Sequence, residues 1–241
     1  MCGRFAQIRH SEKYAKRFGL LASDNLDHEP NYNTDIGNPA LIVGSDKVIR
    51  KAIFGYTPEW SEKPMYLFNA RCEGDHNPGN DIHFQGPMGI FDKPSFRQVI
   101  KNQRVVVPID YFIEGPEKEK LKKPFLIHRK DGDSFLLAGI QGNWTDKTTG
   151  ISKSTFSILT TASNDLLGKV GHHRCPLVLP DSLSKIWLDP HSSKEALSQL
   201  MIPFEDTDFE AYPVDPQIGK RNTVANPNND PELMKPLGPG L

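Results

Sequence analysis

Cysteines are few and long apolar runs are missing from this sequence. Its three cysteines, Cys2, Cys72 and Cys175, are odd in number and widely spaced, which argues against a disulfide framework and favours a reduced, cytoplasmic protein. No apolar run approaches the roughly 18 residues of a membrane-spanning helix, and the N-terminal residues are polar, unlike a signal peptide. We therefore expect a cytoplasmic protein without a membrane partner.

Net charge is also nearly absent, since 29 basic residues face 30 acidic ones. A protein with this balance cannot hold a polyanion by bulk electrostatics, so any nucleic-acid contact has to come from a local basic patch. At 241 residues and 37% hydrophobic content, the chain can bury a substantial core, and one large domain is favoured over two. No internal repeat and no linker divides it.

Hydrophobic periodicity predicts short helices among many strands. Helices are expected from Ser11 to Leu20 with Ser11 as N-cap, over 94–102, after Asp181, and from Ser192 to Leu200 with Ser192 and Glu195 as a capping box. Runs rich in β-branched residues predict strands over 39–43, 48–56, 105–114, 125–128, 135–140 and 155–161. This pattern is typical of an α+β protein with an antiparallel or mixed sheet.

Three polar stretches are expected to lie outside this framework. Residues 74–89 are rich in Gly, Pro and Asn, and such a long loop usually marks a functional lid or a tolerated insertion. The lysine-rich segment from Lys118 to Lys123 is predicted to be a solvated hairpin tip. Residues 215–241 are rich in Pro and Asn, which predicts an extended tail laid over the surface.

The chemically distinctive stretch is the start, Met1-Cys2-Gly3-Arg4. An initiator Met is usually removed before a small residue, which would leave Cys2 with a free α-amine beside its thiol. Such an amine has a reference pKa near 7.7–8.0, so part of it is neutral at neutral pH, and the thiol needs only modest help to become a thiolate. The leading hypothesis is that Cys2 captures an aldehyde, through a Schiff base that the thiol closes to a thiazolidine. The plain alternative is an inert cysteine in a frayed terminus.

A series of short motifs follows in a fixed order along the chain. They are Met1-Cys2-Gly3-Arg4-Phe5, Tyr32-Asn33, Asn69-Ala70-Arg71 with Glu73, Phe96-Arg97, the stretch from Arg104 to Glu114, and His172-His173-Arg174-Cys175-Pro176. Each is weak alone, but in this order they resemble the SRAP family, the SOS-response-associated peptidases that include abasic-site processing proteins. The resemblance runs from Cys2 to about Pro180, with a weaker similarity in the tail.

The fold that this resemblance implies is a single domain over 1–241, with 215–241 as its C-terminal tail. Its sheet should be barrel-like, mixed or antiparallel, with helices at the periphery. Where the family usually has Trp-Gly-Leu, this chain has Phe54-Gly55-Tyr56, which leaves open whether Phe54 stacks on a DNA base.

The function that it implies is covalent protection of damaged DNA. SRAP proteins trap the ring-opened aldehyde of an abasic site in single-stranded DNA as a thiazolidine on the N-terminal cysteine. The catalytic residues carried over are Cys2, Asn69, Glu114 and His172, and the DNA-binding residues are Arg4, Asn33, Arg71 and Arg174. The resemblance further implies a peptidase-type hydrolase with abasic-site lyase activity, a monomer, nucleoid association in a bacterium, and neither cofactor nor metal.

The chemistry itself asks for the same residue types. A closed deoxyribose must open before its aldehyde exists, and this step needs a proton donor and acceptor such as Glu114. Dehydration of the carbinolamine needs a shuttle that titrates near neutral pH, which suits His172. Arginines offer bidentate geometry to phosphates, so a few of them can form a local patch on a neutral protein.

Two other classes of function compete with aldehyde capture. The first is a peptidase or amidohydrolase with Cys2 as an N-terminal nucleophile, for which removal of Met1 could be the only cleavage. The second is a metal-binding module built from Cys2, His172, His173 and Cys175, although structural zinc sites prefer close ligand pairs. Structural alternatives also remain for single residues, such as Asn69 capping a turn and Arg71 in a surface ion pair.

Overall fold

The computed structural model describes residues 2–22 and 26–241, which form two β-sheets surrounded by short helices. The strands within these residues are β1 (Arg4–Gln7), β2 (Asn31–Asp35), β3 (Pro39–Val43), β4 (Ile49–Phe54), β5 (Asn69–Arg71), β6 (Arg104–Ile109), β7 (Tyr111–Glu114), β8 (Phe125–Arg129), β9 (Phe135–Thr145), β10 (Ser152–Ala162), β11 (Arg174–Pro176), β12 (Val178–Leu179) and β13 (Phe209–Pro213). The α-helices are α1 (Ser11–Phe18), α2 (Val99–Asn102), α3 (Asp165–Val170), α4 (Ser184–Leu188) and α5 (Lys194–Leu200).

Five strands close into a barrel, in the order β10, β4, β3, β6, β9 and back to β10. The pairing of β10 with β4 is parallel and the other pairings around the ring are antiparallel. Along β6, Val105 and Val107 pack into one apolar cluster and Val106 packs into another. Successive side chains of a strand point to opposite faces, so β6 is buried on both sides. The mixed barrel with peripheral helices confirms the predicted α+β fold.

The second sheet, in the order β13, β8, β7, β1, β2, packs against the barrel through aromatic side chains. Phe5 of β1 meets Phe54 of β4 edge to face, with ring centroids 5.2 Å apart. Phe112 of β7 meets Phe135 of β9 in the same way at 6.3 Å. Cys2 is fully buried in this cluster. Cys2 is therefore held between the two sheets and does not lie in a frayed segment.

Two predicted helix caps are wrong by one residue. The N-cap of α1 is His10 instead of Ser11, which is already the first helical residue. The N-cap of α5 is Ser193, whose side chain accepts a hydrogen bond from the amide of Ala196. The hydroxyl of Ser192 points instead to the carbonyl oxygen of Ile186, to which it donates at 2.7 Å.

The helix predicted over 94–102 is shorter, because only Val99–Asn102 is helical. Residues 94–98 form turns that hydrogen-bond back to Lys93. After Asp181, a 3-10 helix, Asp181–Leu183, precedes α4. The strand predicted over 105–114 is two strands, β6 in the barrel and β7 in the second sheet, because the chain turns at Asp110, whose amide donates to the carbonyl oxygen of Ala6 in β1. The other predicted strands start and end close to their predicted positions, but β9 and β10 are longer, since the two pair with each other as far as Thr145 and Ser152.

The C-terminal residues lie over the second sheet and include two 3-10 helices, Pro216–Gly219 and Pro231–Met234. Ile218 and Leu233 are buried against Tyr111 and Ile113 of β7. The tail therefore contributes to the core as well as covering the surface. Among the described residues, no helix combines the length and the apolar character that crossing a membrane requires.

Candidate active site

A cleft of about 670 Å³ opens above the buried N-terminal residues. Its walls come from segments that are distant in sequence: the start of β1, strand β5, the end of β7 and the loop before β11. These segments carry the motifs at Arg4, Asn69, Glu114 and His172. The fold thus brings the N-terminal motif, the Asn-Ala-Arg motif, the strand-end acid and the His-His-Arg motif to one place.

Asn69 ties Cys2 to this cleft. Its side-chain Nδ2 donates to the backbone carbonyl oxygen of Cys2 at 3.0 Å. The Cys2 thiol is buried, with Sγ 3.8 Å from the carbonyl oxygen of Arg4. Burial raises the pKa of this thiol strongly, and the nearby charge of Glu114 raises it further. The thiol is therefore protonated at neutral pH and needs a base before it can attack. Met1 lies outside the described residues.

Glu114 and His172 form a buried acid and imidazole pair beside Cys2. Oε2 of Glu114 lies 3.6 Å from Nε2 of His172, and both side chains are about as buried as the core. The other ring nitrogen, Nδ1, lies 2.8 Å from the carbonyl oxygen of Arg174, which fixes the ring. Burial lowers the pKa of His172, although the charge of Glu114 opposes this shift. His172 is thus neutral at neutral pH and can accept a proton.

Arg174 is not a free cation, because it is engaged by Glu73. Its Nη1 and Nη2 donate to the two carboxylate oxygens of Glu73 at 3.1 and 2.8 Å. Nη2 also donates to the carbonyl oxygen of Thr160 at 2.8 Å. Although Arg174 lines the cleft, most of its donors are occupied. Its role as a phosphate ligand stays a prediction.

Arg71 is the more accessible of the two arginines on this wall, with a side chain 34% exposed. It donates to the carbonyl oxygen of Asn77 and to Oδ1 of Asn80. The same Oδ1 accepts from Nη1 of Arg174 at 3.2 Å. Burial and the charge of Arg174 both lower the pKa of Arg71. The side-chain oxygen of Asn80, in the 74–89 loop, therefore accepts hydrogen bonds from both arginines and holds their positive charges next to each other.

Arg4 and Asn33 are buried beneath the opposite wall. Nη1 of Arg4 donates to Oδ1 of Asn33 at 2.8 Å, and its Nη2 donates to the carbonyl oxygen of Gly219 at 2.9 Å. Nδ2 of Asn33 donates to the carbonyl oxygen of Ile218 at 3.2 Å. Both side chains hold the tail in place. Direct DNA contacts from them stay predictions.

Several polar residues at the cleft were not among the predicted site residues. Glu117, Lys120, His173 and Arg221 line it, and Glu73 and Asn80 contact Arg174 in its wall. Glu73 was part of the motif around Asn69. Its role depends on an ion pair with the buried Arg174, a partner so distant in sequence that the motif alone did not point to it. Arg221 pairs with Asp35 at 2.7 Å across more than half of the chain, and no local signal could have found that contact.

His173 lies at the rim of the cleft, next to His172. Its ring stacks on that of His172 with centroids 5.3 Å apart. Its Nδ1 is 2.6 Å from Oε2 of Glu117 but is not aligned for a hydrogen bond. The adjacent histidines therefore differ, with His172 at the buried pair and His173 half-buried at the entrance.

The metal alternative and the stacking role of Phe54 find no support. Across residues 2–22 and 26–241, no three His, Cys, Asp or Glu side chains are grouped so that they could hold a metal ion. Sγ of Cys175 instead donates to the carbonyl oxygen of Ala162 at 3.0 Å. Phe54 is fully buried and stacks on Phe156 in the barrel, so it is not available to a DNA base.

Known proteins resemble this chain over nearly its whole length. Abasic site processing protein YoqW of Bacillus subtilis is 29% identical over 98% of this chain and 99% of its own. Abasic site processing protein YedK of Escherichia coli is 27% identical over 98% and 100%. A crystal structure of a protein from Bacteroides thetaiotaomicron superposes with a TM-score of 0.80, at 26% identity over 98% of this chain and 99% of that one. Residues 1–221 match the model of the SOS response associated peptidase family, and the chain therefore belongs to the SRAP family.

Proposed function

We propose that this protein captures the ring-opened aldehyde of an abasic site in single-stranded DNA on Cys2, after removal of Met1, and so protects the lesion. The observation that carries the proposal is the hydrogen bond from Asn69 to the Cys2 carbonyl at the buried end of the cleft. It holds the N-terminal residue beside Glu114 and His172. The names of the relatives, which are abasic site processing proteins, agree with this substrate.

The reaction consumes one aldehyde and releases one water. The neutral α-amine of Cys2 attacks C1′ of the open sugar, and the carbinolamine loses water to give an imine. Sγ then adds to the same carbon while the thiol proton moves to a base and the imine nitrogen takes up a proton. The product is a five-membered thiazolidine with new C–N and C–S bonds. No oxidant and no cofactor is needed.

Glu114 and His172 are suited to the proton transfers of this sequence. Opening the sugar moves a proton from the C1′ hydroxyl to the ring oxygen, which a carboxyl group can relay. Burial raises the pKa of the Cys2 thiol and lowers that of His172, so at neutral pH the thiol keeps its proton and the imidazole can accept one. The same two shifts make this transfer uphill, and it therefore has to accompany the attack of Sγ on the imine carbon. Running the same steps backward would release the DNA, so the adduct is reversible in principle.

The test is the intact mass of the protein after incubation with a single-stranded oligonucleotide that carries one abasic site. We expect a protein lacking Met1 to gain the mass of the oligonucleotide less one water. Cys2→Ala should form no stable adduct, because its amine reaches only the hydrolysable imine, which borohydride would trap. Cys72→Ala is the matched control, since it removes another buried cysteine and leaves the 1,2-aminothiol intact.

The same incubation separates the competing activities. Absence of an adduct from protein shown to lack Met1 would refute aldehyde capture and favour the N-terminal-nucleophile peptidase, which a peptide-cleavage assay would then address. Cleavage of the oligonucleotide at the abasic site would report lyase activity. Strand cleavage without a stable adduct would assign the protein to lyase chemistry instead of protection.

A further inference from the structure

One side of the cleft carries a surface that the proposed chemistry does not use. We name it the basic ridge and define it as Lys118, Lys120, Lys122 and Lys123 of the loop between β7 and β8, with Lys220 and Arg221 of the tail. All six side chains are exposed. Two segments about a hundred residues apart in sequence thus contribute cations to one surface.

Close packing holds these two segments together. The 3-10 helix Lys120–Lys122 lies against the 3-10 helix Pro216–Gly219. A Cβ atom at Gly219 would lie 3.0 Å from Cβ of Leu121 and 3.1 Å from its carbonyl oxygen, so any larger residue there would push the two segments apart by a few tenths of an ångström. Buried Arg4 donates to the Gly219 carbonyl from below. The ridge is thus a built feature of the fold and not a chance set of surface lysines.

The ridge adjoins the cleft and retains positive charge. Lys120, Leu121 and Arg221 line the same cleft as Glu114 and His172. Lys123 pairs with Glu119 at 2.8 Å, and Arg221 pairs with Asp35. Among the described residues, no carboxylate lies within ion-pair distance of Lys118, Lys120, Lys122 or Lys220. Four of the six cations are therefore exposed without a carboxylate partner in the described part of the chain, and one of these four, Lys120, lines the cleft itself. The protein as a whole has a net charge of only -1.

We propose that the basic ridge binds the phosphates of the single-stranded DNA flank as it leaves the cleft. The inference rests on the proposed function, since it assumes that the abasic nucleotide lies at Cys2. A nearly neutral protein needs a local patch to hold a polyanion, and exposed lysines bind phosphates largely by releasing counterions. The ridge would hold the strand loosely while the covalent step proceeds.

The experiment measures binding of undamaged single-stranded DNA at several salt concentrations in a Cys2→Ala background, where no adduct forms. The ridge variant is Lys118→Gln, Lys120→Gln and Lys122→Gln together. Each phosphate contact on a single strand contributes about 0.7 to the slope of log K against log salt, so the triple change should reduce the slope by about 2. The matched control is Lys13→Gln, Lys16→Gln and Lys101→Gln, which removes the same charge from exposed positions outside the cleft.

Equal slopes and affinities for the ridge variant and the control would overturn the proposal. A loss seen only with DNA whose flank is duplex would overturn the assignment to a single strand. With Cys2 intact, the ridge variant should need a higher concentration of abasic oligonucleotide than the control variant to reach the same rate of adduct formation, and equal concentration dependence would also overturn the proposal. If the protein with unaltered lysines forms no adduct, the proposed function fails, and the binding comparison in the Cys2→Ala background still reports on the ridge.

Discussion

The floor of the cleft and the basic ridge lie side by side and are built in opposite ways. At the floor, Cys2, Glu114 and His172 are 0%, 5% and 7% exposed, and backbone contacts fix their positions. In the ridge, the cations are exposed and mostly unpaired. Burial changes the titration of the floor residues, because it raises the pKa of Cys2 and lowers that of His172. The exposed lysines of the ridge would act on DNA through many weak phosphate contacts.

This difference separates two tasks that one DNA-binding surface could otherwise perform. In the proposed reaction the floor has to place a few atoms for bond formation, and a buried, hydrogen-bonded setting preserves such geometry. In the proposed DNA contact the ridge has only to attract a flexible polyanion, for which exposure to solvent is an advantage. Changes at the floor should therefore have large effects on stability or rate, while changes at the rim should have smaller effects on affinity.

The largest effect is expected at the buried ion pair behind the cleft. Glu73→Gln would leave Arg174 buried without its carboxylate, which should lower the free energy of unfolding by about 3–5 kcal/mol. The matched control is Glu232→Gln, because Glu232 pairs with Lys235 on the surface and such pairs contribute about 0–1 kcal/mol. Urea denaturation measures both. Equal losses in the two variants would contradict the structural role of Glu73.

Replacing the acid at the floor should slow the chemistry. Glu114→Gln keeps the shape of the side chain but cannot relay a proton, so the rate of adduct formation should fall about 100-fold. Glu117→Gln, at the exposed rim of the same cleft, should change the rate little. The measurement is the time course of adduct formation under saturating DNA. An unchanged rate in Glu114→Gln would remove this residue from the proposed mechanism.

The amide that holds Arg71 and Arg174 should affect affinity more modestly. Asn80 has a φ of 55°, so Asn80→Gly keeps the left-handed backbone while removing the acceptor. Loss of a hydrogen bond to a guanidinium costs about 1–2 kcal/mol, and we expect DNA binding in a Cys2→Ala background to weaken about tenfold or less. Asn80→Asp keeps an acceptor but adds negative charge, and it should weaken binding more at low salt. Unaltered binding in both variants would show that Asn80 does not position these arginines.

The smallest effect is expected from protonation of His172. Because its pKa is lowered in the folded state, the unfolded chain binds a proton first as the pH falls below about 6.5. Stability from neutral His172 is therefore complete above that pH and is lost as the pH falls through the lowered pKa. Burial lowers the pKa of His28 in the same way, so His172→Gln should remove only part of the acid sensitivity. Urea denaturation at a series of pH values measures it, and identical pH dependence in parent and variant would contradict the prediction.

Local signals in the sequence predicted several strands well. The apolar runs at 39–43 and 125–128 form β3 of the barrel and β8 of the second sheet. The run predicted as one strand over 105–114 divides at Asp110 into β6 and β7, which belong to different sheets. Helix ends were less predictable, since Ser192 and Ser193 are equally good caps locally. The choice between them depended on the carbonyl of Ile186, which only the fold brings near Ser192.

The predicted site residues gather at one cleft or directly beneath it, but their environments could not be read from the chain. Arg4, Arg71 and Arg174 look alike in the sequence, as motif arginines. In the structure Arg174 grips Glu73, Arg4 supports the tail, and only Arg71 is substantially exposed. Whether an arginine is free or paired depends on partners that are distant in sequence, and the residues next to it in the chain do not identify those partners.

The sequence by itself determined the candidate nucleophile and most of the regular elements of this protein. A cysteine directly after Met1 and the alternation of apolar residues are properties of neighbouring positions, so they can be recognised without a fold. Tertiary structure alone decided which charges are buried, how the two stacked histidines differ, and that the Lys118–Lys123 loop meets the tail beside the cleft. These features depend on desolvation and on contacts across the chain, and both arise only when distant segments pack together.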